Sequence, residues 1–152
     1  MSDFIRKSTI LAAPIDRVWN AIIDPEQFGS WFRVRLDGPF TPGQRTTGNM
    51  TYPGYEHARW ESFTETVEPP HCLRFSWSHP ADETAPDPQS DPRTLVEFLL
   101  EPVDGGTRLT ITESGFDSMP ADVRETAYRR NEGGWEIQVA NITEHVLKSA
   151  QA

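Results

Sequence analysis

The sequence is poor in cysteine, in basic residues and in long apolar runs. Cys72 is the single cysteine among 152 residues, so no disulfide can form within the chain and nothing indicates an oxidising compartment. The first residues contain no apolar signal region, and no stretch approaches the roughly 20 apolar residues of a membrane helix. We therefore expect a cytoplasmic protein.

Positive charge is scarce: 14 Lys and Arg against 23 Asp and Glu give a formal net charge of −9. Nucleic acids attract basic patches, and anionic membranes repel an acidic chain, so we expect neither as a partner. The histidines lack the close spacing of a zinc site, and no glycine-rich phosphate loop or Gly-x-Ser-x-Gly motif occurs. The sequence therefore predicts no metal, no cofactor and no recognisable catalytic set.

Large aromatic residues are abundant, with 5 Trp and 8 Phe, and 36% of the residues are hydrophobic. A chain of 152 residues is long enough for one domain with a buried core, and we expect a single domain over residues 1–152. Large aromatic side chains fill cores, but they also line pockets for apolar ligands. The composition alone leaves both uses open.

The first third of the chain predicts one strand and two helices. Phe4–Leu11 is short and rich in β-branched residues, which favours a strand. After Pro14, apolar residues with amphipathic helical spacing are Ile15, Val18, Trp19, Ile22 and Ile23. Asp24-Pro25 ends this helix, and a second short helix is predicted over Glu26–Ser30.

The middle of the chain predicts six strands separated by turns. These are Phe32–Leu36, Gln44–Tyr52, His57–Glu68, His71–His79, Thr94–Glu101 and Thr107–Phe116. Pro80–Pro92 differs, because four prolines alternate with four acidic residues. We interpret this segment as a loop that is either a lid over a binding cavity or a disordered connection.

A helical pattern follows Met119-Pro120 and continues to the end of the chain. Its apolar residues, mostly four apart, are Val123, Ala127, Trp135, Val139, Ile142 and Val146. Gly133-Gly134 interrupts this pattern, and each glycine costs about 1 kcal/mol in a helix interior relative to alanine. Either the helix breaks there, with a long helix from about Trp135, or the glycines allow the helix to approach the sheet closely. The overall order predicts an α+β fold with one antiparallel sheet.

Several motifs along nearly the whole chain resemble one family. They are Ala13-Pro14, Val18-Trp19-Asn20-Ala21, Asp24-Pro25-Glu26, Trp31-Phe32, Val67-Glu68-Pro69-Pro70, Leu73-Arg74-Phe75-Ser76-Trp77, Gly106-Thr107-Arg108-Leu109-Thr110, Glu113-Ser114-Gly115-Phe116 and Gly133-Gly134-Trp135. Together they resemble the activator of Hsp-ninety ATPase homologue family, in its single C-terminal-type domain. That family belongs to the START-like, or SRPBCC, helix-grip superfamily.

The resemblance implies a helix-grip fold, in which a curved antiparallel sheet of six to seven strands wraps a long C-terminal helix. It also implies a cavity between the sheet and that helix. Larger two-domain relatives stimulate a chaperone ATPase. Other members of the superfamily bind lipids, polyketides, hormones or toxins, and some catalyse cyclisation or dehydration. Fold alone does not choose among these functions.

Glu113 is the most notable polar position. It shares a strand face with Leu109 and Ile111, and that face should point towards the helix. A buried carboxylate there either orients a ligand or takes a proton, or it pairs with an arginine or reaches water at the sheet edge. His79 follows Trp77 on its strand face and is either a general base or a strand end.

The cavity walls are the second candidate feature. Large aromatic residues in the predicted core are the best candidates, although plain core packing explains each of them equally well. The full set of predicted ligand-binding residues is Trp31, Phe32, Trp77, His79, Phe98, Ile111, Glu113 and Trp135. Arg35 and Arg59 either face an anionic group of the ligand or lie exposed on their strands.

Three functions follow from these features. The first is binding of a small apolar or aromatic molecule without chemistry, by a monomer or a homodimer. The second is a cyclase or dehydratase that uses Glu113 as an acid–base group. The third is a co-chaperone-like interaction module, which would show a large exposed apolar patch and a small or filled cavity.

Overall fold

A seven-stranded antiparallel sheet and a 31-residue helix dominate the structure, a computed structural model that describes residues 4–78 and 93–151. The elements are β1 (Phe4–Leu11), α1 (Ile15–Ile23), α2 (Pro25–Phe32), β2 (Val34–Leu36), β3 (Arg45–Met50), β4 (Arg59–Glu68), β5 (Cys72–Ser78), β6 (Arg93–Val103), β7 (Gly106–Ser114) and α3 (Ala121–Gln151). His79 and the predicted loop Pro80–Pro92 lie outside the described residues.

The strands follow the order β1-β7-β6-β5-β4-β3-β2, and every neighbouring pair is antiparallel. The first strand therefore pairs with the last, from Phe4 opposite Ser114 to Leu11 opposite Thr107. The remaining strands follow one another as hairpin neighbours. The predicted α+β fold, with two short helices after the first strand and a long C-terminal helix, is confirmed.

The two short helices form because their apolar residues lie on one face. Val18, Trp19 and Ile22 of α1 are buried. Asp24 begins α2, where its side chain accepts a hydrogen bond from the backbone N–H of Glu26 at 3.2 Å. This helix extends to Phe32, beyond the predicted Glu26–Ser30, so the predicted strand Phe32–Leu36 is reduced to β2.

Aromatic rings fill the core between the sheet and the helices. The ring of Phe28 in α2 lies 4.9 Å from that of Trp31 and 5.0 Å from that of Phe32. Alternation along the strands turns further rings inward, including Phe75 of β5 and Phe98 of β6, which are completely buried. The ring of Phe28 also lies 5.7 Å from that of Trp60 in β4 and 6.4 Å from that of Phe98, and these contacts hold α2 against the sheet.

Helix α3 continues without a break through Gly133-Gly134, so the predicted interruption is wrong. Ala127 before the glycines and Trp135 after them are both buried, and packing of this face outweighs the roughly 1 kcal/mol that each glycine costs. The alternative, a close approach to the sheet, is also wrong, because a Cβ atom at either glycine would meet no described residue within 4 Å. No described helix is both long and apolar enough to span a membrane.

Candidate functional site

The candidate site is built around Glu113 near the end of β7. Alternation along this strand directs Leu109, Ile111 and Glu113 to the inner face of the sheet, as predicted, and all three are buried. Glu113 has no exposed surface at all. A carboxyl group in such a place requires hydrogen-bond donors, because burial without them is costly.

Among the described residues, the side chains of Trp77, Thr94, Asn131 and Trp135 supply such donors. Oε1 of Glu113 accepts from Nε1 of Trp135 at 2.9 Å and from Nδ2 of Asn131 at 3.0 Å. Oε2 accepts from Nε1 of Trp77 at 2.8 Å, from Oγ1 of Thr94 at 2.5 Å and from Nδ2 of Asn131 at 3.0 Å. An ionised carboxylate only accepts and offers about four lone-pair positions, so these donors engage both oxygens fully.

Glu113 thereby fixes the two indole rings. An indole N–H can only donate, and its single donor is satisfied when it points at the carboxylate. The rings of Trp77 and Trp135 stack with their centroids 5.6 Å apart and their planes at 24°. The ring of Phe32 lies 6.2 Å from each of them. The arrangement produces a rigid aromatic wall at one end of the core.

This wall bounds an open pocket of about 580 Å³ between α3 and the connection from β3 to β4. The volume lies within the range of about 300–1,000 Å³ that small-molecule sites occupy. The rings that line it are Phe32, Tyr52, Tyr55, Trp77 and Trp135. The smaller lining residues are Met50, Ala58, Gly133, Gly134 and Ile137.

Polar groups enter the pocket from one side of α3. Asn131 and Gln138 are the two amides that line it, and Arg130 is the charged residue among the described lining residues. Nε2 of Gln138 donates to the backbone oxygen of Phe32 at 3.2 Å, which fixes its side chain. A largely apolar surface with a few placed amides is typical of sites that bind and orient a small organic molecule.

The opposite wall belongs to a turn. Tyr52 and Tyr55 are 46% and 55% exposed, and their rings meet edge to face with centroids 5.7 Å apart. Gly54 between them has φ 92°, a left-handed conformation that glycine adopts readily. The carboxylate of Glu56 accepts from the backbone N–H of Gly54 at 2.6 Å, and such backbone hydrogen bonds lower the pKa of Glu56. The turn thus holds two tyrosines at the pocket rim.

The structure brings together four of the eight predicted site residues. Phe32, Trp77 and Trp135 line the pocket, and Glu113 lies behind the two indoles. The other described ones, Trp31, Phe98 and Ile111, lie in the core and are at most 3% exposed. His79 lies outside the described residues. Arg35 and Arg59 are exposed.

The predicted cavity lay between the sheet and the C-terminal helix, and aromatic rings occupy the centre of that space. The ring of Phe98 lies 6.0 Å from that of Trp135 and 6.4 Å from that of Phe28. The pocket opens beside this packed centre. The sequence pattern did not assign Tyr52, Tyr55 or Asn131 to the site. A signal for Asn131 exists, since it lies four residues from both Ala127 and Trp135, on the buried stripe of the helix.

Metal chemistry finds no support in the described ranges 4–78 and 93–151, where no three His, Cys, Asp or Glu side chains are grouped as ligands. Cys72 is buried, and burial raises the pKa of its thiol. A raised pKa keeps the thiol protonated and unreactive. The aromatic pocket is therefore the feature with the clearest chemical character.

Residues 12–146 match the family described as Activator of Hsp90 ATPase homolog 1-like protein. The chain belongs to this family. A search of curated proteins found no match to the sequence.

Solved structures of the same fold include DynU16, a protein of the dynemicin biosynthetic locus, with 23% identity and a TM-score of 0.78. The chain covers 49% of DynU16, about half its length, and 98% of the chain is aligned. MLL2253 from Mesorhizobium loti has 22% identity and a TM-score of 0.76, with 95% of this chain and 97% of that chain covered. A protein from Arthrobacter aurescens has 23% identity and a TM-score of 0.77, with 96% of this chain and 87% of that chain covered. At these identities the likeness shows the fold.

Proposed function

We propose that this protein binds a small apolar or aromatic molecule in the pocket between α3 and the β3–β4 connection. The observation that carries this proposal is an aromatic-lined pocket of about 580 Å³ whose two indole walls are fixed by one buried carboxylate. Five rings supply dispersion and apolar contact for the ligand, while Asn131 and Gln138 supply a few polar contacts.

Rigid walls favour binding. Ordering a mobile side chain on association costs roughly 0.5–1.5 kcal/mol, and Trp77 and Trp135 are already held by hydrogen bonds to Glu113. Because these rings are ordered before the ligand arrives, no cost of ordering them reduces the binding free energy. The exposed Tyr52 and Tyr55 can adapt to the ligand from the opposite side.

The geometry supports a positioning role for Glu113 more than an acid–base role. A general base must come within about 2.6–3.2 Å of the proton that it takes, or reach it through one water molecule. Glu113 has no exposed surface, and donors from Trp77, Thr94, Asn131 and Trp135 engage its oxygens. A cyclase or dehydratase mechanism through Glu113 would first have to break these hydrogen bonds.

An interaction module is the second candidate, and exposed apolar side chains at the pocket rim favour it. Tyr52, Tyr55 and Ile137 are 46%, 55% and 58% exposed. All three line the pocket, so they are equally suited to cover a bound small molecule. A direct binding measurement distinguishes these two functions.

The test uses N-phenyl-1-naphthylamine, a neutral aromatic probe whose fluorescence rises in apolar sites. We expect saturable binding to the wild type and loss of binding in Ala58→Trp, since Ala58 lines the pocket and a large ring there fills it. The matched control is Ala140→Trp, an identical change at an exposed position of α3 outside the pocket lining. Near-ultraviolet circular dichroism confirms that each variant is folded.

Two results would overturn the proposal. One is no saturable binding to the wild type, together with no thermal stabilisation by any member of a library of apolar and aromatic metabolites. A true ligand stabilises the folded state by about 2.7 kcal/mol at a hundredfold excess over its dissociation constant. The other is equal binding by Ala58→Trp and Ala140→Trp, which would place the probe elsewhere. Either result would favour the interaction module.

A further inference from the structure

Two adjacent glycines in the middle of a long helix require an explanation. Glycine lowers helix stability, and Gly133 and Gly134 lie inside α3 with eleven or more helical residues on either side. Neither has the positive φ that favours glycine over other residues. Their conformation alone is therefore open to any good helix-forming residue.

Gly29, the other glycine within a helix, is required by packing. A Cβ atom at Gly29 in α2 would collide with the backbone oxygen of Val34, so the close approach of α2 and β2 requires glycine there. A Cβ atom at Gly133 or Gly134 would meet nothing within 4 Å among the described residues. Packing against residues 4–78 and 93–151 therefore does not account for this pair.

Both glycines line the pocket, and neither places a side chain in it. Gly134 is half-buried and is followed by Trp135, whose indole is fixed by Glu113. The rings of Tyr52 and Tyr55 line the same pocket from the β3–β4 connection. The α3 side of the pocket thus combines bare backbone at the two glycines with the fixed indole wall beside it.

We infer that Gly133 and Gly134 determine which ligands enter, and that the pocket takes a flat aromatic ring lying on the bare backbone of α3. This inference rests on the proposed function and specifies the shape of its ligand. A flat ring can contact the helix backbone on one face and the tyrosines on the other. A globular aliphatic cage of similar carbon number offers no such flat face, and a side chain on Gly134 would occupy the ring's place.

The test compares 2-naphthol with 1-adamantanol by calorimetric titration. Each has ten carbon atoms and one hydroxyl group, but the first is flat and the second is globular. We expect the wild type to bind 2-naphthol at least about tenfold more tightly than it binds 1-adamantanol. Gly134→Ala should weaken 2-naphthol binding by about tenfold, because one methyl group then overfills the ring's place. Gly134→Leu should abolish it, and Ala140→Leu, the control on the exposed face of α3, should leave it unchanged.

Thermal stability separates this role from a structural one. Alanine stabilises a helix interior relative to glycine, so the Tm of Gly134→Ala should exceed that of the wild type by about 2–4 °C while its affinity for 2-naphthol falls. Gly133→Ala, at the exposed edge of the pair, should show the same rise in Tm with a smaller loss of affinity. A loss of affinity that comes with a lower Tm would overturn the inference, because the glycines would then serve the fold.

The proposed function and this inference can fail separately. If N-phenyl-1-naphthylamine binds and Ala58→Trp blocks it, the pocket is a binding site. The inference fails, and the proposed function stands, if the wild type then binds 2-naphthol no more tightly than 1-adamantanol. The same holds if Gly134→Ala binds 2-naphthol with the affinity of the wild type. If neither the naphthylamine nor 2-naphthol binds the wild type, the inference fails, and the proposed function fails with it when no member of the metabolite library stabilises the protein.

Discussion

Two glutamates on opposite faces of the sheet are almost closed to water, and they are held in different ways. Glu61 of β4 is 9% exposed and Glu113 of β7 is 0% exposed. Both oxygens of Glu61 accept from Nη1 of Arg93, at 2.5 and 3.1 Å, and Nε of Arg45 lies 3.3 Å from Oε2. Glu113 is held by two indoles, an amide and a hydroxyl group.

The partners indicate what each carboxylate does. Arg93 and Arg45 carry positive charge and keep 25% and 44% of their side chains exposed, so Glu61 forms an ion pair that ties β3, β4 and β6 together at the surface. The partners of Glu113 named above are neutral, and three of them line the pocket. Glu61 therefore serves the sheet, whereas Glu113 serves a surface that a ligand would touch.

Removing the carboxylate of Glu113 should have the largest effect. Glu113→Leu removes the acceptor that Trp135 and Asn131 share, whereas Nε1 of Trp77 keeps its hydrogen bond of 3.0 Å to Oγ1 of Thr94. Each enclosed donor that loses its acceptor costs about 1–3 kcal/mol. We expect the free energy of unfolding to fall by about 3–5 kcal/mol in urea titrations followed by tryptophan fluorescence. Glu113→Gln keeps one acceptor oxygen and should lose less. A loss below about 1 kcal/mol in Glu113→Leu would show that the hydrogen bonds contribute little.

Breaking the ion pair should cost less and should depend on salt. Glu61→Gln keeps the shape of the side chain and loses its charge, so we expect a loss of about 1–2 kcal/mol in low salt, given that Arg93 and Arg45 are partly solvated. Raising NaCl to about 1 M shortens the screening length to about 3 Å and should shrink the difference from the wild type. Glu113→Gln is the control, because burial protects its hydrogen bonds from screening. If the stability losses of Glu61→Gln and Glu113→Gln depended equally on salt, the distinction between a solvated ion pair and a buried hydrogen-bonded carboxylate would be wrong.

The fold was predictable because its signals are local. Enrichment in β-branched residues predicted Phe4–Leu11 with the bounds that the structure shows for β1, and helical spacing predicted α1. The prediction failed at Gly133-Gly134, where intrinsic helix propensity is a weak term. Burial of Trp135, Ile142 and Val146 on one continuous face decides the outcome instead.

The site was only partly predictable. Strand period sufficed to place Glu113 inward, but its donors come from β5, β6 and α3, up to 36 residues away in sequence. Sheet register sets them together, since Trp77 pairs with Thr94 and Val96 pairs with Glu113. Tyr52 and Tyr55 lie in a turn without periodicity, so no local pattern connects them with α3. The site therefore depends on long-range strand pairing and on turn geometry, neither of which is encoded in a local sequence pattern.

A third titratable group, the half-buried His145 of α3, should give the smallest effect. It extends the comparison to a side chain whose charged form is disfavoured by partial burial. Its Nε2 lies 3.2 Å from Oε1 of Gln27, and burial, followed by the charge of Lys148, holds its pKa below the usual 6.5. Because the folded pKa is lower than the unfolded one, the unfolded chain takes up the proton first as the pH falls. The stabilising contribution is therefore complete above about pH 6.5 and is lost as the pH drops from there through the lowered pKa. Urea titrations between about pH 7.5 and 5 should show stability falling less steeply in His145→Gln than in the wild type. Parallel curves for the two proteins would mean that the folded environment treats charged and neutral His145 alike.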